Sequence, residues 1–203
     1  MGWFFGRKKS VDTMWDSMSS VSRMVAGFKQ QGEAVSPRRN AGVVYRHDDD
    51  VPFLESLQAH LDAILYEGPA ATKTGYEITD DAHGMRWAIL NDGNFDDLLS
   101  SVFTVSNAIK MNGGGPNLLA AVFQIDFSNH AVNPHVYAGS GFVNAYLIYR
   151  FDRDSYYPFV PTGDNPGERD RETERMLGSS IRSAGLKTEN AMTEWLGLWG
   201  IPF

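Results

Sequence analysis

Apolar residues recur at spacings of three and four along VDTMWDSMSSVSRMVAGFKQQ. Val11, Met14, Met18, Val21, Val25 and Phe28 form an a/d seam of nearly three heptads, with Trp15 and Met24 flanking it. The pattern predicts an amphipathic helix whose seam must be covered, either by the protein's own core or by a second helix from a twin subunit or a coiled-coil partner. The following stretch, QGEAVSPRRNAG, mixes Gly, Pro and polar residues without hydrophobic period and reads as a linker over 32–42. The chain then divides into an N-terminal helical arm (1–31), that linker, and a body (43–203). A linker would free the arm, and methionine suits an adaptable binding surface, so both favour a helical partner for the seam.

The body alternates between the two hydrophobic periods. Val43, Val44 and Tyr45 suggest a short strand, and PFLESLQAHLDAILYEG an amphipathic helix with Pro52 near its start and Gly68 at its end. TKTGYEIT and GMRWAIL alternate around DDAHG, which predicts a hairpin. Asn94 caps a second helix, with Asp97 in its first turn, and NGGG stops it. NLLAAVFQIDF and GFVNAYLIYRF predict two long strands, the second apolar on both faces and therefore central. A charged helix near 166–183 and a short one near 189–197 follow. The resulting order, β-α-β-β-α-β-β-α, predicts an α+β two-layer sandwich with an antiparallel sheet.

Composition narrows the class. With 42% hydrophobic and 21% charged residues among 203, the chain reads as a soluble globular protein of one domain, or one domain plus an appendage. It has no cysteine, which excludes disulfides, thiolate metal sites and a cysteine nucleophile and fits a reducing cytoplasm. No apolar run approaches the ~18 residues of a transmembrane helix. The net charge of −7 is unevenly spread: residues 1–40 hold seven Lys/Arg against three Asp/Glu, and residues 41–203 eleven against twenty-two. A basic arm on an acidic body suits an anionic surface and argues against nucleic acid.

The opening MGWFFGRKKS carries Trp3, Phe4 and Phe5 ahead of Arg7, Lys8 and Lys9. The charges follow the apolar residues, so it is not a secretory signal, and Gly6 replaces the Ser/Thr of a myristoylation site. Two readings remain: a weak interfacial foot on an anionic membrane, or aromatics packed on the body.

Candidate chemistry is sparse. His130 and His135 sit in SNHAVNPHVYAGSG, a connection between strands long enough to be functional. Two histidines without a neighbouring Cys or acidic cluster make no complete metal set, and no metal or other cofactor is expected. His60 reads as an edge residue of its helix, while His47 and His83 lie in turns. NGGGP follows a helix instead of preceding one, and GSG around Ser140 lacks the nucleophile-elbow frame. In FDRDSYYPF, Asp152 and Asp154 beside Arg150 and Arg153 read as surface ion pairs. No catalytic set emerges.

Two late motifs carry a resemblance: YYPFVP (156–161) directly after an apolar strand, and the ending EWLGLWGIPF (194–203). Together with NLLAAVF after a helix and a start of the form Met-Gly-apolar-Gly-Arg-Lys, they resemble the PspA-associated PspAB family, most closely over roughly 94–203. The resemblance implies association with PspA, a membrane-remodelling coiled-coil protein of the envelope-stress response, and it implies no catalytic residues. The core order is also similar to secretion-chaperone-like domains, which bind helical partners and often dimerise.

The leading expectation is a non-enzymatic cytoplasmic adaptor, peripheral to the inner membrane face. Val11, Met14, Met18, Val21, Val25 and Phe28 would meet a PspA-like coiled coil, and Trp3, Phe4, Phe5, Arg7, Lys8 and Lys9 an anionic membrane. The alternatives are an arm-paired homodimer without a third partner, and an enzyme or metal site in the His130/His135 loop.

Overall fold

Successive side chains of Ala41–Tyr45 alternate between two apolar environments, the expected behaviour of a strand buried on both faces. In the computed structural model, which describes residues 13–67, 69, 71–135 and 141–203, this strand is the third of six. The strands are β1 (Val35–Arg46), β2 (Gly75–Asp80), β3 (Met85–Asn91), β4 (Leu118–Ser128), β5 (Phe142–Arg150) and β6 (Ser155–Phe159), in the spatial order β2-β3-β1-β4-β5-β6. Every neighbouring pair is antiparallel. The helices are α1 (Thr13–Gln30), α2 (Pro52–Glu55), α3 (Leu57–Tyr66), α4 (Phe95–Ile109), α5 (Asn129–Val132) and α6 (Arg171–Ser183). Among the described residues no helix is long and apolar enough to cross a membrane.

The architecture is α+β, with a layer of helices on one face of an antiparallel sheet. Met18, Leu61, Val102 and Leu177, from four helices, join Val43, Phe123 and Leu147 of the sheet in one core. Among the described residues no α-helix covers the opposite face. Val44, Trp87, Val122, Ile148 and Tyr157 are covered there by the irregular segment 192–203, through Trp195, Leu198, Trp199 and Phe203. Only a single 3₁₀ turn, Met192–Glu194, stands where a short helix was expected near 189–197. Extended backbone lets the aromatic side chains of this segment reach successive strands. Phe203 meets Trp87 and Tyr146 edge-on, Trp199 meets Phe159, and Trp195 stacks on Tyr157. Gly42 makes room for this: a Cβ there would lie 2.9 Å from both the Phe203 and Trp87 rings.

Two expectations need correction. The proposed linker at 32–42 lies mostly within β1. Pro37 and its polar neighbours disguise the strand, but residues 35–37 extend past the end of β3 and pair with β4 alone, where a missing N–H is tolerated. A register shift between Pro37 and Ala41 absorbs the irregular stretch. The helical arm is therefore joined to the sheet by a tight turn and is part of the same body.

The second correction concerns the seam. Met14, Met18, Val21, Val25 and Phe28 are all buried in the chain's own core, as is Met24, while Val11 lies outside the described residues. Burying one such side chain is worth roughly 1.5–3 kcal/mol. Six of them rival the whole stability margin of about 5–15 kcal/mol, which is why the helix stays docked. Polar ties reinforce it. The Ser17 hydroxyl donates to Asp154 at 2.6 Å, the Ser22 hydroxyl to Asp96 at 2.7 Å, and the Tyr156 hydroxyl to the Ser17 carbonyl at 3.2 Å.

Sheet edges differ. Along β6, the Tyr156 N–H donates to the Lys187 carbonyl and the Glu189 N–H to the Tyr156 carbonyl, so residues 187–189 line this edge. β2 bonds to β3 on one side, and among the described residues no main-chain bond engages its other side.

Candidate functional site

The end of α1 sets up the most distinctive polar arrangement. Gly32, with φ of +83°, closes the helix: its N–H donates to the Lys29 carbonyl and that of Glu33 to the Phe28 carbonyl. This paired bonding is a Schellman cap, and the left-handed conformation it requires suits glycine. The cap delivers Glu33 to the start of β1, beside the end of β4. There the Ser128 hydroxyl donates to Glu33 Oε2 at 2.9 Å, and the Ser128 N–H donates to the Ala34 carbonyl. Ser128 Oγ also accepts from the Ala131 N–H, capping the short helix α5. That helix carries His130, whose Nδ1 pairs with Glu33 Oε1.

Glu33, α5 and one face of α6 enclose a cleft of about 520 Å³. Its apolar part comes from Phe28, Val132, Met176 and Ala184, and its polar part includes His130, His135, Arg175 and Ser183. The His130 side chain is 35% exposed and that of Glu33 15%. With Nδ1 turned to the carboxylate, Nε2 is the ring nitrogen left to meet a ligand. Two serines of α6 are turned elsewhere. Ser179 donates to the Arg175 carbonyl, while the Ser180 hydroxyl donates to those of Met176 and Val132. Imidazole and carboxylate thus form an oriented dyad, whereas those two hydroxyls serve the helix backbone. Arg175 makes two bonds to Glu172, at 2.6 and 3.0 Å, which raise its pKa.

The loop singled out by its two histidines does flank a cleft, but the residues completing it were not anticipated. Glu33 was assigned to a linker and Arg175 to a charged helix face. Gly32 was the available signal, since a glycine closing a predicted helix fixes where the next side chain points. The remaining histidines lie apart. His60 bonds to the Ser56 carbonyl at 2.8 Å and lies against Phe53. His47 is paired with Asp49 and Glu55 at 2.9 and 2.7 Å on an exposed turn, and His83 lies in the β2–β3 turn, exposed. Asp152 pairs with Arg150 at 2.6 Å, Arg153 with Glu189 and Glu194, and Asp154 with Lys187, as expected for surface ion pairs. Trp3, Phe4, Phe5, Arg7, Lys8 and Lys9 lie outside the described residues.

A second exposed feature lies where α1 meets α4. Trp15, 37% exposed, stands edge-on to Phe103 at 5.2 Å, in a groove shared with Pro69 and Ala71.

No curated protein and no solved structure matches the chain. The sequence model of the family described as PspA associated protein B matches residues 1–203. The two late motifs that carry the resemblance also have structural roles, YYPF as strand β6 and the tryptophan-rich ending as the cover of the sheet's second face. With a match spanning its full length, the chain belongs to the PspA associated protein B family.

Proposed function

We propose that this protein is a non-enzymatic adaptor that works with a PspA-like coiled-coil protein at the inner face of the membrane during envelope stress. The observation that carries the reading is the family match over the whole chain, since the family's description names association with PspA. Its sequence adds no nucleophile-elbow frame, phosphate-loop motif or cysteine that would favour catalysis. The seam of α1 is engaged within the chain, so the partner is met on the outer surface of the body. The exposed Trp15, edge-on to the half-buried Phe103, offers apolar area for such a contact.

The membrane half of the reading rests on Trp3, Phe4, Phe5, Arg7, Lys8 and Lys9, a short distance along the chain from the docked helix. Each basic residue near an anionic leaflet contributes about 1 kcal/mol, which gives weak and reversible attachment. Clustering on a polymeric partner would strengthen it by avidity.

Liposome flotation tests both halves, using the full chain and a variant lacking residues 1–9, each with and without a PspA-like protein. The expected result is flotation on anionic but not neutral vesicles, loss of direct flotation on truncation, and its rescue when the coiled-coil protein is added. Absence of rescue, together with no binding to that protein in solution, would overturn the adaptor reading.

A further inference from the structure

The cleft between α5 and α6 has an uneven supply of hydrogen-bonding groups. Glu33 is the one carboxylate among the described lining residues, and both its oxygens are taken, Oε1 by His130 and Oε2 by Ser128. Facing the same space are the His130 ring beyond its Nδ1, the exposed His135, the Arg175 guanidinium and the Ser183 hydroxyl. Neither the His135 side chain nor the Ser183 hydroxyl has a hydrogen-bond partner among the described residues. Arg175 is the one arginine or lysine among the described lining residues, and with both Glu33 oxygens taken no free carboxylate opposes it, so an anionic ligand suits the site.

Arg175 is free to serve it. Its side chain is 56% exposed and its partner Glu172 65%, and an exposed pair of this kind is weak, so the guanidinium can turn from Glu172 to a bound anion at little cost. Phe28, Val132 and Met176 line the same cleft and favour an apolar body over a bare ion. The volume of about 520 Å³ lies within the range typical of small-molecule sites.

We propose that this cleft binds a small amphiphilic anion, a phosphate or carboxylate head on a short apolar body. Arg175 receives the head, joined by His130 in its imidazolium form, which donates Nδ1–H to Glu33 and Nε2–H to the ligand, and the Phe28–Val132–Met176 wall receives the body. Glu33 is a positioning residue: it holds the His130 ring so that Nε2 faces the ligand. The site is independent of the adaptor reading, and either can fail without the other.

The test is calorimetric titration of the full chain with hexyl phosphate, hexanoate and hexanol, alongside nitrogen NMR of the labelled histidine rings. The expected result is binding of both anions, hexanol at least about tenfold weaker, and a shifted Nε2 resonance that is missing in His130→Gln. Arg175→Gln, an exposed change that leaves the fold intact, should weaken hexyl phosphate by about tenfold or more. Phosphatidic-acid vesicles that compete with hexyl phosphate would identify a lipid headgroup as the source, and failure to compete a free metabolite. No binding of either anion at millimolar concentration overturns the proposal. So does binding that Arg175→Gln and His130→Gln leave unchanged, or hexanol binding as tightly as the anions.

Discussion

Arg169 and Glu174 form a fork-to-fork ion pair almost entirely removed from water. Nε and Nη2 of the arginine reach the two carboxylate oxygens at 2.8 and 2.7 Å, with side chains 3% and 0% exposed. The pair is also fully bonded. Glu174 Oε1 accepts the Val160 N–H at 3.0 Å, Arg169 Nη1 donates to the Trp195 carbonyl at 3.0 Å, and the guanidinium lies 4.8 Å over the Phe159 ring. One ion pair therefore joins the end of β6, the first turns of α6 and the segment that covers the back of the sheet.

Breaking that pair from one side leaves a buried charge with nothing to answer it. Arg169→Met or Glu174→Gln should each cost about 3–5 kcal/mol in chemical denaturation. The double variant Arg169→Met, Glu174→Leu should recover much of the loss, because the remaining cost is mainly two hydrogen bonds. Equal losses for the single and double variants would show that packing, not charge, dominates here.

Gly42→Ala opposes two tendencies. Removing a strand glycine ordinarily stabilises by roughly 0.5–1 kcal/mol. Here the added methyl would meet Phe203 and Trp87 at 2.9 Å, and such overpacking costs about 1–3 kcal/mol. Net destabilisation is expected, with a change in tryptophan fluorescence, and Phe203→Leu in the same chain should relieve part of it, the contact with Trp87 remaining.

Docking of α1 predicts that its apolar face matters to the fold itself. Met18→Ala should destabilise by about 2–5 kcal/mol, since Met18 is fully buried. Trp15→Ala, on the exposed side, should cost much less while reducing capture of the coiled-coil partner. If Met18→Asp with Val25→Asp leaves the melting temperature unchanged, the docked position of α1 is wrong.

Acid should loosen the same helix. Burial opposes ionisation of Asp154, but hydrogen bonds from Lys187, Ser17 and Tyr149 outweigh it and hold the carboxyl below its usual range. Thr173 does the same for Asp170, the N-cap of α6, through its hydroxyl and its N–H. A carboxyl whose pKa is lowered by folding contributes stability that is complete above the unfolded value, about 3.9, and lost as the pH falls through the folded one. The denaturation midpoint should thus hold steady near neutrality and fall below about pH 4. Asp154→Asn should flatten part of that fall.

Most of the body was legible because its periods are clean. The Asn94 cap, whose side chain accepts from the Asp96 and Asp97 N–H groups, and the DDAHG turn, held by Asp81 accepting from His83 and Met85, both stand where local chemistry puts them. The seam of α1 was equally legible, but a period shows only that a face is covered, never what covers it. The first half of β1 is hidden because SPRRN lacks strand residues, and only its pairing with β4 at one end and β3 at the other makes it a strand. Glu33 and Arg175 were out of reach for a similar reason. They lie 142 positions apart in the chain and meet across a cleft that exists only after α6 has packed.

The unequal edges of the sheet bear on how such a protein meets others. An extended chain seeking a place beside β6 finds its outer main-chain groups already engaged by residues 187–189, and Pro158 withholds another donor. Strand addition is thereby steered to β2, a six-residue strand with acidic Glu77 and Asp80. So short and charged an edge is a poor template for cross-β growth. The sheet can be crowded on the surface of a polymer without stacking edge to edge on its neighbours.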